Sequence, residues 1–173
     1  KIDYKDPLII FSQHPVTSEF KNSSFFFIET LKAVTKVSKK YKIIYLWPNS
    51  DPGSDIIAGI MRTMREKNNI TMSNFRFITN LSPEVYFKLM KEAKLIIGNS
   101  SSAIREGAFI GTPAVDIGTR QTTRVVAKNV LRVGYNNKKI FKAILKQVGK
   151  KYKTSNIYGS GESARKIIDI LKK

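Results

Sequence analysis

Three consecutive hydroxyls, Ser100, Ser101 and Ser102, follow the apolar run Leu95-Ile96-Ile97 and the turn pair Gly98-Asn99. The apolar run reads as a buried strand. Gly98 and Asn99 tolerate backbone angles that other residues avoid. Serines at a helix start accept from its free backbone N–H groups. Those N–H groups, with the positive end of the helix dipole, also cradle phosphate. A strand, a tight turn and a hydroxyl-rich helix start are how open α/β sheets bind nucleotides. They are also the parts of a well-capped helix, and this stretch alone leaves both readings open. Glu106 lies little more than one turn further on. Its carboxylate can accept from both hydroxyls of a ribose, or simply favour the helix dipole. Arg105 beside it reads as a surface ion-pair partner.

His14 and Arg120 are the other candidates. His14 follows the apolar run Leu8 to Ser12, and Pro15 biases it toward extended geometry. A neutral imidazole there can donate to a phosphate or base, and a protonated one adds charge. The other reading is a loop histidine at a turn. Arg120 sits in Gly118 to Arg124 and can pair with phosphate through two parallel bonds.

The elements that position these residues follow from apolar patterning. Strands are expected at Leu8 to Ser12, Lys42 to Leu46, Phe75 to Ile78, up to Ile97, Pro113 to Ile117 and Val130 to Val133. Helices are expected at Phe26 to Tyr41, with Ser23 and Ser24 as caps, and at Asp55 to Lys67, capped by Asp51 or Ser54. Ser82-Pro83-Glu84 starts another, with Tyr86, Leu89, Met90 and Ala93 as its inner stripe. Two more start near Lys138 and Glu162. Strands and helices thus alternate about six times, which specifies a doubly wound, Rossmann-like parallel sheet in one domain over residues 1–173. All strand C-termini then share one edge, and His14, Asn49, Asp51, Ser100, Ser101, Glu106 and Arg120 fall near it.

Composition excludes several chemistries. The chain has 173 residues, no cysteine and a single histidine, so disulfides and Cys or His-cluster metal sites are out. No apolar run is long enough to span a membrane. A cytoplasmic enzyme suits this composition. Neither a Gly-rich dinucleotide fingerprint nor a Walker loop is present, no triad can be assembled, and no cofactor or metal is expected. The sequence starts at Lys1 rather than Met and soon runs into a strand, which suggests a piece of a longer protein.

The formal charge is +18, and no acid stands between Asp116 and Glu162. Such a balance attracts polyanions, so a non-catalytic nucleic-acid-binding module is the reading from another class. Against it, Lys138, Lys142, Lys146 and Lys150 repeat every four residues opposite Phe141, Ile144, Leu145 and Val148. That is the solvated face of an amphipathic helix. Binding that fell steeply with salt would favour the nucleic-acid reading.

The ordered set His14-Pro15-Val16-Thr17, Pro48 to Ser54, Gly98 to Ser102 and Gly118-Thr119-Arg120-Gln121, with Ile157-Tyr158-Gly159 near the end, resembles the UDP-N-acetylglucosamine 2-epimerases. It is most similar to their hydrolysing branch, which makes N-acetylmannosamine and UDP for sialic-acid-type sugars. The resemblance covers the family's C-terminal half and implies the second Rossmann-like domain of a GT-B-type enzyme. His14 and Asn49 would contact the nucleotide, and backbone near Leu81 the uracil. Ser100 and Ser101 would hold the diphosphate, Glu106 the ribose, and Arg120 the phosphate side. His14 alone here would assist catalysis, because the family's proton-moving groups sit largely on its N-terminal domain. The partners implied are UDP-N-acetylglucosamine or UDP, that N-terminal domain and further copies in a homo-oligomer, with no membrane. The fragment alone would be inactive. Alternatives within the family are the non-hydrolysing epimerase and a sister enzyme on another nucleotide sugar. Animal members are inhibited by a sialic-acid nucleotide through basic residues near the positions of Asp55, Thr79 and Asn80. None of these is basic here, which points to a microbial member without that feedback.

Overall fold

The computed structural model describes residues 6–67 and 72–172. Six strands form one parallel sheet: β1 (Leu8–Ser12), β2 (Lys42–Leu46), β3 (Phe75–Ile78), β4 (Leu95–Gly98), β5 (Ala114–Ile117) and β6 (Val130–Val133). Their order is β3-β2-β1-β4-β5-β6. The chain therefore builds outward from β1 in one direction, then returns and builds outward in the other. The crevice between β1 and β4, where the winding reverses, is where such sheets take ligands.

The described residues form seven helices: α1 (Ser23–Val37), α2 (Ser54–Glu66), α3 (Pro83–Glu92), α4 (Ser101–Ile104), α5 (Glu106–Ile110), α6 (Asn137–Gln147) and α7 (Ser163–Leu171), the last with no buried residue. Successive strand residues point to opposite faces. Ile9, Phe11, Ile43, Tyr45, Ile97 and Val115 pack with Phe27, Leu31, Ile57, Met61 and Ile144 of α1, α2 and α6. Leu8, Ile10, Ile44, Ile96 and Ala114 pack with Met90 and Ala103 on the other side. Every residue of β1 is buried, as expected for a strand covered on both faces.

Several element starts differ from the sequence expectation. A 3-10 turn at Thr17–Asn22 feeds directly into α1, so Ser23 and Ser24 lie inside its first turn and cap nothing. The cap of α2 is Gly53, at φ 92°, with no side-chain bond. Instead Ser54 N–H donates to the Asp51 carbonyl at 3.0 Å, and Ser54 Oγ donates to the Asn49 carbonyl. Ser82 caps α3 as expected, accepting from Val85 N–H.

The serine-led helix is broken in two at Arg105, whose φ and ψ are −84° and −71°. Beside the break, a bond arrives from far along the chain. Asn129 Nδ2 donates to the Ala103 carbonyl at 3.3 Å and competes with the helix for it. On α6 the buried stripe is Ile140, Ala143, Ile144 and Gln147, and Leu145 is exposed rather than inward. Lys150 lies beyond the end of that helix. No helix among the described residues is long and apolar enough to cross a membrane.

Candidate nucleotide site

At the C-terminal ends of β1 to β4 the loops enclose a cavity of about 240 Å³. Ser12 and His14 come from β1, Leu46, Trp47 and Asn49 from β2, and Thr79, Asn80 and Leu81 from β3. Ser100 and Ser102 come from the turn after β4, and Tyr86 from α3. Gly98 makes the close approach possible: at φ 129°, its added Cβ would strike the Ser12 carbonyl. Only glycine adopts that angle freely.

His14 is held by its backbone. Its N–H donates to Asn99 Oδ1 at 2.7 Å, and its carbonyl accepts from Asn99 Nδ2 at 2.8 Å. Its ring is also engaged. Nδ1 accepts from Asn49 N–H at 3.4 Å, and Nε2 lies 3.4 Å from Ser12 Oγ. Accepting at Nδ1 leaves the proton of a neutral ring on Nε2. Burial pushes the imidazole pKa below its usual 6.5, Arg120 adds to this, and Asp51 partly opposes it. Both burial and Arg120 thus favour the neutral ring.

Across the crevice Ser100 is the cap of α4, accepting from Ser102 N–H at 3.4 Å. The two hydroxyls lie 2.9 Å apart, and Ser102 Oγ is 2.8 Å from the Tyr86 hydroxyl. Arg120 donates to the Asn99 carbonyl at 3.3 Å and lies 3.9 Å from Asp51. With Pro15, Glu19 and Thr119 it lines a neighbouring cavity of about 470 Å³. A histidine, an arginine and two hydroxyls thus surround the winding reversal, an arrangement suited to an anion.

Glu106 stands apart from this group. It lines a third cavity, of about 230 Å³, with Phe87, Arg105, Phe109, Tyr158 and Gly159. Its Oε2 is buried without a hydrogen-bond partner among the described residues. Tyr86 lines the first cavity; burial raises the pKa of its hydroxyl, and the charge of Glu106 adds to this.

A family model described as UDP-N-acetylglucosamine 2-epimerase matches residues 1–172. The chain belongs to the UDP-N-acetylglucosamine 2-epimerase family. A UDP-N-acetylglucosamine 2-epimerase from Neisseria meningitidis serogroup B is 34% identical over 131 residues, covering 76% of this chain and 33% of that protein. A hydrolysing UDP-N,N'-diacetylbacillosamine 2-epimerase from Legionella pneumophila is 29% identical over 171 residues, covering 98% of this chain and 43% of that one. Among solved structures, a Neisseria meningitidis UDP-GlcNAc 2-epimerase bound to UDP-GlcNAc superposes with a TM-score of 0.73 at 17% identity, covering 99% of this chain and 46% of that one. The chain thus spans less than half the length of these relatives, matching their C-terminal part. Its fold is that of the C-terminal half of a GT-B-type epimerase.

Of the residues expected at the site, His14, Asn49, Leu81 and Ser100 line one cavity in this family member. Arg120 lines the neighbouring cavity with Pro15 and Thr119, and Glu106 lines a separate one with Phe87 and Tyr158. Ser101 is half-buried, and the serine beside Ser100 on the cavity wall is Ser102. Leu81 N–H already donates to Asn80 Oδ1 at 2.9 Å. Ser102, one of the three hydroxyls of the serine turn, and Tyr86 also line the cavity, and Asn99, which the sequence singles out only for its backbone freedom, clamps His14 beside it. Tyr86 sits at inward helical spacing and carried no separate signal.

Proposed function

We propose that this chain is the nucleotide-binding half of a hydrolysing UDP-N-acetylglucosamine 2-epimerase, which converts UDP-N-acetylglucosamine to N-acetylmannosamine and UDP. The observation that carries this reading is the clustering of His14, Ser100, Ser102 and Arg120 at the winding reversal, on a chain of this family. The hydroxyls and Arg120 hold the diphosphate, with Ser101 offering its backbone N–H rather than its side chain. Leu81 and Asn80 meet the base. The orphaned Oε2 of Glu106 takes a ribose hydroxyl, which a buried unpaired carboxylate oxygen favours strongly. Reaching both Glu106 and the serines requires the nucleoside to pass along Tyr86.

In the reaction, the C2 proton leaves and the C1–O bond to UDP breaks, giving a glycal. Water then adds hydroxyl to C1 and a proton to C2 from the opposite face. This half stabilises the departing UDP, whose negative charge grows as the C1–O bond breaks. A neutral His14 can donate its Nε2 proton to a diphosphate oxygen. The groups that move protons on the sugar belong to an N-terminal half like that of the relatives, and this half alone turns over no substrate. The hydrolysing branch is supported by relatives named as hydrolysing.

Calorimetric titration of UDP into the chain tests the nucleotide reading. Saturable heat and a rise in melting temperature are expected, both lost in Ser100→Ala. A titration with no heat and no melting shift would overturn it. Product analysis of the two-half enzyme separates the branches: free N-acetylmannosamine is expected, and UDP-N-acetylmannosamine would indicate the non-hydrolysing one.

A further inference from the structure

The segment from Gly118 to Asn129 contains no strand or helix, yet it carries Arg120. Besides the turn bonds from Thr122 N–H to the Thr119 carbonyl at 3.2 Å and from Arg124 N–H to the Gln121 carbonyl at 3.0 Å, the loop is held by side-chain bonds. Those bonds converge on Arg132 of the edge strand β6. Arg132 Nη2 donates to the carbonyls of Gln121 at 2.6 Å and Arg124 at 2.7 Å. Its Nε donates to Asp116 Oδ2 at 3.3 Å. Asp116 is itself buried at the end of β5, so its carboxylate is a fixed anchor rather than a mobile counter-ion. From the braced loop, Gln121 Nε2 donates to the Asn99 carbonyl at 2.9 Å, and Arg120 reaches the same oxygen. Asn99 in turn clamps His14.

We propose that Arg132, anchored by Asp116, is a positioning residue: it fixes the 118–124 loop so that Arg120 and His14 meet the same anion. The chain of bonds runs from Arg132 through Gln121 to Asn99 and so to His14, and no other part of the molecule has to move for it to act. Two carbonyls from opposite ends of a turn are held by one nitrogen of a planar guanidinium whose third bond is to a buried acid. A lysine cannot reproduce that fork, since its ammonium is a point donor on a flexible stem. The purpose of the arrangement rests on the nucleotide reading above, whereas its existence does not.

The single histidine of the sequence makes the test direct, because its ring resonances need no assignment among several. The charged groups that bear on His14 are Arg120 and Asp51, with Glu19 held beyond them on Thr119. His14 is titrated by NMR in the parent chain, in Arg120→Ala, in Arg132→Gln and in Arg132→Lys. Thermal melting and UDP titration accompany each. Removing Arg120 raises the His14 midpoint. Releasing the brace by Arg132→Gln moves it in the same direction and weakens UDP binding by about tenfold, the loss expected when one charge-assisted contact drifts out of place. Arg132→Lys recovers melting temperature, by keeping the pair with Asp116, without restoring the His14 midpoint.

The proposal is overturned if Arg132→Gln melts lower but titrates His14 like the parent. Arg132 is then only a staple. If Arg132→Gln does not fold, the same judgement falls on Arg132→Lys. Should the parent bind no UDP, the nucleotide reading fails while the His14 midpoints still decide the brace.

Discussion

The side-chain amide of Asn99, at the end of β4, closes a two-point bond with the backbone of His14, at the end of β1. It joins the two strands between which the chain reverses its winding, just past where their ladder stops. Both partners are buried, so neither backbone group has water as an alternative. Asn99→Ala leaves both groups of His14 unpaired and costs about 2–4 kcal/mol. A melting temperature lowered by roughly 5–15 °C is expected. Asn99→Asp keeps the acceptor for His14 N–H but opposes two carbonyl-type oxygens, and should be no milder. A melt unchanged in Asn99→Ala would show that the clamp is not what holds the crevice.

The hydroxyls around the serine turn are not equivalent. Ser100 and Ser102 face the cavity and each other, while Ser101 does not line it. Ser100→Ala and Ser102→Ala should each weaken UDP binding by about tenfold, the order of one hydrogen bond to a charged group. Ser101→Ala should stay within about twofold of the parent, as a substitution away from any such feature does. Calorimetry on the three variants checks the ranking. A Ser101→Ala loss equal to that of Ser100→Ala would mean that the turn rearranges around its ligand.

His14 ties binding to pH. Its pKa in the folded chain lies below 6.5, because burial and Arg120 both disfavour the cation. Folding therefore loses stability as pH falls from 6.5 toward the folded pKa, where the unfolded chain takes up a proton that the native chain does not. A bound diphosphate reverses the local field and raises the His14 pKa. UDP affinity should accordingly increase between pH 7.5 and pH 6, with proton uptake in calorimetry that scales with buffer ionisation heat. His14→Gln should abolish the uptake. Affinity that is flat over this range would place the diphosphate away from the ring.

Short apolar runs mark strands, buried ones such as β1 and partly exposed edge ones such as β3 and β6 alike, which is why β1, β2, β3 and β6 matched the expected spans. Ser82 with Pro83 marked the start of α3 for an equally local reason. The serine turn was legible for the same cause, since glycine, asparagine and hydroxyls act through their own backbone. What escaped the sequence depends on partners far along the chain. Asn129 reaches the Ala103 carbonyl beside the break at Arg105, and Arg132, paired with Asp116, bonds carbonyls of the Arg120 loop. Tyr86 looked like a core residue because the spacing that buries its ring also brings its hydroxyl to Ser102.

Away from the site, the charge of Glu29 on α1 is committed to holding α6. Its Oε2 accepts from Asn137 N–H at 2.9 Å and Asn137 Nδ2 at 2.7 Å, at the first residue of that helix. Its Oε1 accepts from Lys32 at 2.9 Å. The bonds from Lys32 and Asn137 hold the carboxyl down to about 2. An acid depressed in the folded state lends stability that is complete above its unfolded pKa, near 4.5, and disappears as pH falls through about 2. Melting should thus drop on acidification across that window, and drop less in Glu29→Gln, which has no such proton to take up. At pH 7 the same variant should be less stable than the parent by about 1–3 kcal/mol, the scale of hydrogen bonds to a charged group. Parallel acid melting curves for parent and Glu29→Gln would show instead that α6 is held by its buried Ile140 and Ile144 alone.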